Sequence, residues 1–313
     1  MFRRFGTAAV ALWCVVTLAG CESDSNPIAP PESDGTAPRS VAALGLGIYD
    51  YTALDVPAEM GAFTSAYGIN AWGTITGNFG APDGTAHGFV FRRGVFTDVT
   101  VPGAGGTFLG SLGDINELGT SVGFASDAND VGHMFVLGRD GRITPIPDPV
   151  ADAIDTDGTG INNVGTIVGT YRDANARAHG FIWRAGHYEF FDHPGATSTR
   201  VNGINDGGQM AGQWFAAGRS HGFILEDGEA QPIEFPGAVS TRATCINNRG
   251  MVAGFYNNSD GVFHGFVYDR GDYMSVDFPG ASDTAAFGIN DQGVIVGTYD
   301  DFSRGFVAVP RHP

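Results

Sequence analysis

The chain has 313 residues, with 34 carboxylates against 17 basic residues, all of them arginine, and a formal net charge of −17. Excess negative charge opposes binding to phosphate backbones, so we expect no nucleic-acid partner. The 48 glycines follow no three-residue period and aromatic residues reach 12%, which excludes collagen and a wholly disordered chain. The composition favours many short strands joined by tight turns.

The first 20 residues have the pattern of an export signal. Arg3 and Arg4 precede an apolar run at residues 7–18, which is too short to span a bilayer and is typical of a secretory signal. The run ends in LAGC, whose last letter is Cys21, and this resembles the bacterial lipobox. The resemblance implies cleavage before Cys21 and lipid attachment to its sulfur, and a plain signal peptide is the alternative. Glu22 is not the aspartate linked with inner-membrane retention, so the outer membrane is preferred.

The predicted organisation has three parts: a signal peptide at residues 1–20, a lipidated cysteine with a disordered tether at 21–43, and a folded domain at 44–313. The tether is rich in Ser, Asp, Pro and Ala and has few large apolar residues, so it cannot form a core. Cys14 leaves with the signal and Cys21 is acylated, which leaves Cys245 as the free thiol. We interpret Cys245 as a small buried packing residue, because nothing in its neighbourhood favours a lowered pKa.

A motif containing an Ile-Asn pair or its variant occurs six times, at spacings of 42 to 46 residues. Spacings of this size are typical of propeller blades or solenoid units. Each asparagine begins an Asn-x-x-Gly sequence, which predicts a tight turn between two strands because asparagine bonds its own backbone and glycine accepts a positive φ. The predicted turns are Asn70–Gly73, Asn116–Gly119, Asn162–Gly165, Asn205–Gly208, Asn247–Gly250 and Asn290–Gly293.

The second predicted strand of each unit carries a glycine seven residues after the turn asparagine. Glycine inside a strand indicates a bulge or the close passage of another backbone. Two positions further, five of the six units have an aromatic residue, which predicts packing between units. These positions are Phe79, Ala125, Tyr171, Trp214, Tyr256 and Tyr299.

The third strand opens with His-Gly-Phe in most units, and the fourth leads to a proline. The last unit has no fourth strand of its own, whereas residues 49–58 resemble a fourth strand without a unit. We therefore predict an all-β fold: a six-bladed β-propeller of four-stranded blades, closed by pairing the N-terminal strand with the C-terminal blade. An open β-solenoid is the alternative.

Four recurring motifs carry a family resemblance: Gly-Ile-Asn-Asp, Val-Gly-x-Tyr, His-Gly-Phe and Asp-x-Pro-Gly-Ala. Together they resemble the HAF repeat of bacterial extracellular proteins over residues 68–306, with the second unit departing most from the pattern. The resemblance implies a secreted or surface location. It supplies no catalytic residue that can be transferred to this chain.

The repeated histidines are interpreted as structural. A metal needs three or four ligands that converge on one point, and residues related by rotation around a wide ring lie too far apart. We therefore predict no metal and no cofactor. The histidines concerned are His87, His133, His179, His221 and His264.

Acidic positions are also interpreted as structural. Asp55, Asp192, Glu234 and Asp277 repeat from unit to unit and are expected to cap strands or form salt bridges. Residues 127–130 and 155–158 faintly resemble calcium loops, but the second has threonine where an EF-hand needs glutamate. We interpret both as solvated turns.

Four residues are candidates for ligand contact: Trp72 and Trp183 as platforms for sugar stacking, and His187 and His193 as polar groups outside the repeat pattern. No catalytic residue is predicted, because no Ser-His-Asp order, phosphate loop or cysteine-pair motif occurs.

The sequence predicts a non-enzymatic lipoprotein of the bacterial envelope, attached to the membrane through Cys21, with its propeller facing the periplasm or the exterior. We expect a monomer that binds a protein or a glycan. One alternative is an extracellular polysaccharide hydrolase or lyase, since a pair of carboxylates on a propeller is able to cleave glycosidic bonds. The other is a structural component of the envelope.

Overall fold

The computed structural model describes residues 49–106, 108 and 111–311. The predicted signal peptide, Cys21 and the tether lie outside these residues. The described part of the chain contains no helix with the length and apolar character needed to cross a membrane. In chain order its strands are β1 (Tyr49–Leu54), β2 (Thr64–Ile69), β3 (Ile75–Gly80), β4 (Ala86–Arg92), β5 (Val95–Val99), β6 (Ser111–Ile115), β7 (Ser121–Ser126), β8 (Gly132–Leu137), β9 (Ile143–Pro145), β10 (Asp155–Ile161), β11 (Ile167–Arg172), β12 (Ala178–Arg184), β13 (His187–Phe191), β14 (Ser198–Ile204), β15 (Met210–Ala216), β16 (Arg219–Glu226), β17 (Glu229–Ile233), β18 (Ser240–Ile246), β19 (Val252–Asn257), β20 (Phe263–Asp269), β21 (Asp272–Val276), β22 (Thr284–Ile289), β23 (Ile295–Tyr299) and β24 (Arg304–Pro310).

Four of the described sheets have four strands each: β2–β5, β14–β17, β18–β21, and a sheet in the order β1-β24-β23-β22. The strands β6–β13 form a further sheet of eight, because β8 and β10 meet in parallel at the pair Gly132 and Asp155. The second unit departs from its neighbours here, since its fourth strand, β9, has three residues and pairs with β8. This succession of small antiparallel sheets is a β-propeller arrangement, which confirms the predicted all-β class.

The first strand belongs to the same sheet as the last three. β1 runs antiparallel to β24 along its full length, from the pair Tyr49 and Pro310 to the pair Leu54 and Gly305. The ring of Tyr51 packs against Phe306, with ring centroids 6.2 Å apart. The first and last strands therefore lie side by side in one four-stranded sheet.

The six asparagine turns form as predicted and are linked to one another. In the fifth unit, the backbone carbonyl of Asn247 accepts the N–H of Gly250 at 3.0 Å, and the glycine has a φ of 79°. The side-chain Oδ1 of Asn247 accepts the N–H groups of Arg249 and Met251, both at 3.0 Å. Its Nδ2 donates to the carbonyl of Asn290 in the next unit at 2.9 Å.

The same side-chain link recurs from each unit to the next, and all of these asparagines are buried. The links run from Asn70 to Asn116 (3.1 Å), Asn116 to Asn162 (3.0 Å), Asn162 to Asn205 (3.2 Å), Asn205 to Asn247 (3.1 Å), Asn247 to Asn290 (2.9 Å) and Asn290 to Asn70 (3.2 Å). We call these links the asparagine ring.

The two ends of the sheets differ in their connections. Because the strands are antiparallel, the asparagine turns and the hairpins between the third and fourth strands lie at one end, which we call the asparagine end. The His-Gly-Phe sequences and the C-terminal ends of the fourth strands lie at the opposite end, which we call the histidine end.

The repeated glycine of the second strand is required by close packing. A Cβ on Gly254 would lie 2.0 Å from the carbonyl oxygen of Arg242 and 2.9 Å from the ring of Phe266. The register shift lies on the neighbouring strand, between Ala243 and Cys245. The predicted close approach of another backbone is confirmed.

The aromatic residues that follow this glycine join neighbouring units. Tyr256 stacks on Phe235 of the preceding unit, with ring centroids 3.7 Å apart, and Tyr299 stacks on Phe278 at 3.9 Å. The predicted packing between units is therefore confirmed for these positions.

We predict that Asn247→Ala lowers the free energy of unfolding by about 2 to 4 kcal/mol, because it leaves the buried N–H of Met251, the partly buried N–H of Arg249 and the buried carbonyl of Asn290 without their partner. Asn175→Ala changes an exposed loop and is expected to cost less than about 0.5 kcal/mol. Chemical denaturation of both variants measures the difference. Equal losses would show that the ring contributes nothing beyond an ordinary turn.

Candidate functional site

Each repeated histidine bonds a carboxylate at the end of its own sheet. The shortest contact joins Nδ1 of His221 to Oε1 of Glu234 at 2.6 Å. In the last unit Arg304 replaces the histidine and its Nη2 bonds Asp55 at 2.6 Å. The structural interpretation of the histidines and of the repeated acids is confirmed, with each serving as partner of the other. The remaining pairs are His87–Asp98, His133–Asp148, His179–Asp192 and His264–Asp277.

Two of these acids do not stand at the acidic position of the repeat, so the repeat pattern does not predict them. Asp98 lies four residues before its proline rather than two, and Asp148 follows a shortened fourth strand. Their partners, His87 and His133, do recur in the repeat. Because a half-buried histidine needs a polar partner, these histidines indicate that an acid must lie nearby.

His193 is part of the repeat, so its interpretation as a residue outside the pattern is wrong. Its ring stacks on Trp214 with centroids 3.9 Å apart and an interplanar angle of 2°. Phe235 and Phe278 make the same stack on Tyr256 and Tyr299 in the following units. The residue before the fourth-strand proline is thus a packing position, and His193 occupies it.

The other three predicted ligand contacts lie toward the asparagine end. Trp72 is 78% exposed in the first turn, and its Nε1 donates to the carbonyl of Glu117 at 3.2 Å. Trp183 is half-buried against the core of its sheet, and His187 is exposed in the following hairpin. The structure does not bring these residues together with His193, which lies at the histidine end.

The asparagine ring surrounds a pocket of about 50 Å³ whose lining includes Asp114, Glu117, Asp206 and Asp291. Three of these carboxylates already accept backbone N–H groups of the preceding turns. The distances are 2.9 Å for Glu117, 2.8 Å for Asp206 and 2.9 Å for Asp291. Within the described part of the chain, no group of three or more His, Cys, Asp or Glu side chains is arranged to hold a metal ion.

Asp114 and Cys245 occupy a position where the other four units have glycine. The strands come close there, since a Cβ on Gly203 would lie 2.8 Å from Cα of Cys245. Burial raises the pKa of Asp114 to about 7. Burial, with the charge of Asp114, raises the pKa of the Cys245 thiol to about 12. Cys245 is therefore a protonated packing residue, as predicted.

A partly buried cation lies near the histidine end, five residues before the fifth turn asparagine. The guanidinium carbon of Arg242 is 5.1 Å from the ring centre of Phe255 and 5.5 Å from that of Phe263. Its Nη1 is buried and has no hydrogen-bond acceptor among the described residues. Burial, with the charge of Arg200, lowers the pKa of Arg242 to about 10.

Further aromatic rings complete this site. Phe302 packs against Phe263 at 5.6 Å, Phe255 at 6.1 Å and Phe287 at 6.3 Å between ring centroids. Phe302 ends a run of three non-glycine residues with φ between 53° and 59°, a conformation that costs free energy in each residue. We call Arg242 and these four phenylalanines the arginine-phenylalanine cluster.

Asp157 occupies the position of Arg242 two units earlier. The interpretation of residues 155–158 as a solvated turn is wrong, because they begin strand β10. Burial, with the charge of Asp155, raises the pKa of Asp157 to about 7, while Arg200 and Arg172 oppose the shift. Residues 127–130 do form a turn, in which Asp127 accepts the N–H groups of Asn129 and Val131.

The sequence contained a signal for the cluster that motif reasoning missed. The position of Arg242 varies within the repeat, and the other units carry Ser65, Ser111, Asp157, Arg200 and Ala285 there. Positions that vary on a repeated scaffold are those able to carry a specific function.

Comparison with known proteins gives the fold. No family model matches the chain, and no curated protein matches it. A gluconolactonase from Xanthomonas campestris matches with a TM-score of 0.55 and 12% identity, covering 91% of this chain and 99% of that one. Virginiamycin B lyase from Staphylococcus aureus matches with a TM-score of 0.52 and 10% identity, covering 84% and 99%. Aleuria aurantia lectin, in complex with Fucα1-6GlcNAc, matches with a TM-score of 0.50 and 12% identity, covering 81% and 98%.

The fold is a β-propeller. These structural neighbours include two enzymes and a lectin, and at such identities the similarity extends to the fold alone. The function of this propeller must be argued from its own side chains.

We predict that the protein loses stability as the pH rises from about 4 to about 7, because Asp114 keeps its proton in the fold but ionises from 3.8 upward in the unfolded chain. The stability that protonated Asp114 contributes is complete below its pKa in the unfolded chain. It is lost as the pH rises through its pKa in the folded protein. Asp114→Asn should flatten the profile in part, since Asp157 titrates similarly. Melting temperatures across this range measure it, with exposed Asp152→Asn as control. An unchanged slope in Asp114→Asn would contradict the assignment.

Proposed function

We propose that this protein is a non-enzymatic binding module of the bacterial envelope, and that its arginine-phenylalanine cluster binds a carboxylate-bearing glycan. The observation that carries the proposal is the buried Nη1 of Arg242, which lacks an acceptor. A buried charged donor without a partner is costly, so a ligand that supplies the acceptor gains that free energy on binding.

The charge around the cluster favours an anionic ligand. The charge of Arg200, which is also positive, acts with burial to lower the pKa of Arg242, although the whole chain has a net charge of −17. Guanidinium groups recognise carboxylates through two parallel hydrogen bonds, and this pairing is strong where water is excluded.

The aromatic side chains favour a sugar over a small inorganic anion. Phe263, Phe287 and Phe302 are half-buried and leave part of their rings accessible. Pyranose rings present apolar C–H faces that pack on such rings, while their hydroxyl and carboxylate groups bond the cation. A protein ligand with acidic side chains is the alternative within the same binding function.

We further propose that the eight-stranded sheet consists of two blades, which makes six blades in a closed ring. Two features support this interpretation. The sheet contains two asparagine turns with their own His-carboxylate pairs, and its halves meet at the pair Gly132 and Asp155. The side chain of Asn290 donates to the carbonyl of Asn70, so the last unit bonds the first.

We also propose that the protein is exported, carries a lipid on Cys21 and lies at the outer membrane. This location agrees with the resemblance to HAF-repeat proteins. We predict that Cys21→Ser releases the protein from the membrane fraction of its host. Mass analysis of the N-terminal peptide should find a diacylglyceryl group on Cys21. A membrane-bound Cys21→Ser variant, or an unmodified N-terminal peptide, would contradict this proposal.

We predict that Arg242→Gln weakens binding of an acidic polysaccharide, such as polygalacturonate or alginate, by at least about tenfold. Arg219→Gln removes an exposed arginine at the same end of the sheets and should leave binding unchanged. Calorimetric titration of the full chain and both variants measures the affinities, with a neutral dextran as the reference ligand. Melting temperatures confirm that each variant is folded. Equal affinities of the two variants for the acidic polysaccharide would show that the arginine-phenylalanine cluster does not bind it.

A polysaccharide hydrolase or lyase is the second candidate, and the raised pKa of Asp157 favours it. A carboxyl group that titrates near 7 suits general acid or base catalysis, and nearby arginines suit a substrate carboxylate. Product analysis after long incubation with the same polysaccharides separates the two functions. Cleavage that disappears in Asp157→Asn would establish the enzyme, and intact polymer with retained affinity would support the binding module.

A further inference from the structure

The asparagine end has an apolar half. In the first three turns, the second residue after the asparagine is a large exposed hydrophobic: Trp72 is 78% exposed, Leu118 60% and Val164 80%. In the other three turns the same position holds Gly207, Arg249 and Gln292. The apolar tips are adjacent, because Trp72 bonds the carbonyl of Glu117 in the neighbouring turn.

The hairpins beside these three turns are basic, in a chain that is acidic as a whole. Their side chains share a surface with the turns. Nε of Arg184 donates to Oγ1 of Thr166, which follows the third turn, at 3.3 Å, and a Cβ on Gly119 in the second turn would lie 3.4 Å from the side chain of Arg139. The hairpins carry the exposed residues Arg92, Arg93, Arg139, Arg142 and Arg184.

The negative charges on this half are few and already engaged. Glu117 accepts the N–H of Ala71, and Asp140 accepts the N–H of Arg142 at 3.0 Å. By contrast, the corresponding hairpins of the fourth and fifth units are mainly acidic and contain Glu226, Asp227, Glu229, Asp269 and Asp272. The basic residues are therefore concentrated where the apolar residues are.

The folded domain also begins at this end. Tyr49 pairs with Pro310, and a Cβ on Gly293 in the sixth turn would lie 3.4 Å from Pro310. Cys21 lies 28 residues before Tyr49 in the sequence.

We propose that Trp72, Leu118, Val164 and the five neighbouring arginines form a docking surface for a bilayer that contains anionic phospholipid. Tryptophan favours the interfacial layer of a membrane, arginine side chains extend to reach lipid phosphates, and anionic lipids attract clustered basic residues. The proposal rests on the proposed anchor at Cys21, which would hold the domain near a membrane. Docking on this half directs the arginine-phenylalanine cluster at the histidine end away from the membrane.

Fluorescence quenching of Trp72 by brominated lipids tests this surface. The mature full chain is reconstituted into phosphatidylcholine vesicles with or without phosphatidylglycerol, and its quenching is compared with that of the Trp72→Phe variant. We expect Trp72 to be quenched in the anionic vesicles only, and to lose that quenching when the salt is raised to about 0.5 M.

Two charge-reversed variants locate the contact. Arg92→Glu with Arg93→Glu should reduce the quenching of Trp72 to its level in neutral vesicles. Arg249→Glu with Arg270→Glu makes the same charge change on the other half of the same end and should leave the quenching intact. Melting temperatures close to that of the parent chain show that both variants are folded.

Three results would overturn the docking surface: absent quenching in anionic vesicles, quenching that ignores lipid charge, or equal loss in the two variants. Binding of an acidic protein to this docking surface, without quenching of Trp72 by the brominated lipids, would overturn it as well. The mass of the Cys21 peptide is determined on the same samples. A chain without lipid that still shows charge-dependent quenching would refute the anchor and support the surface.

Discussion

The hydrogen bond from each turn asparagine to the carbonyl of the next is the interaction on which the structure depends. No unit buries its own apolar faces, so each must be held against its neighbours in one register. The asparagine does this with one buried side chain, since its oxygen fixes its own turn and its nitrogen fixes the following turn. Glycines near the axis and in the second strands allow the backbones to approach as closely as this bond requires.

At the histidine end, too, repeated side chains hold each unit together and join it to the next. A histidine bonds an acid within its own sheet, and the residue beside that acid stacks on an aromatic ring of the next unit, as in Glu234 and Phe235. Side chains that serve this framework repeat. The side chains that break it, among them Arg242, Asp157 and Trp72, are consequently the ones to which a specific function is assigned.

The sequence predicted the parts of the fold that are local and periodic. The six repeated Asn-x-x-Gly sequences each form a turn, so these turns and the strands beside them followed from the pattern. The links between asparagines, and the pairing of Asp98 and Asp148 with histidines, depend on contacts between distant residues that spacing does not encode. The candidate site was less predictable still. His193 differs in residue type from Phe235, so its equivalent stacking position is not evident from the sequence. Arg242 is a candidate binding residue only because its Nη1 is buried without an acceptor, which the sequence does not show.

Amide hydrogen exchange in β1 tests the central claim most directly, because β1 is the strand through which the two chain ends share one sheet. If the asparagine ring and the shared sheet make the units one cooperative structure, the bonded amides of Tyr49–Leu54 exchange with the same opening free energy as those of Ile167–Arg172 in β11. Exchange of the β1 amides at the rate of an unstructured peptide, while those of β11 stay protected, would contradict the account.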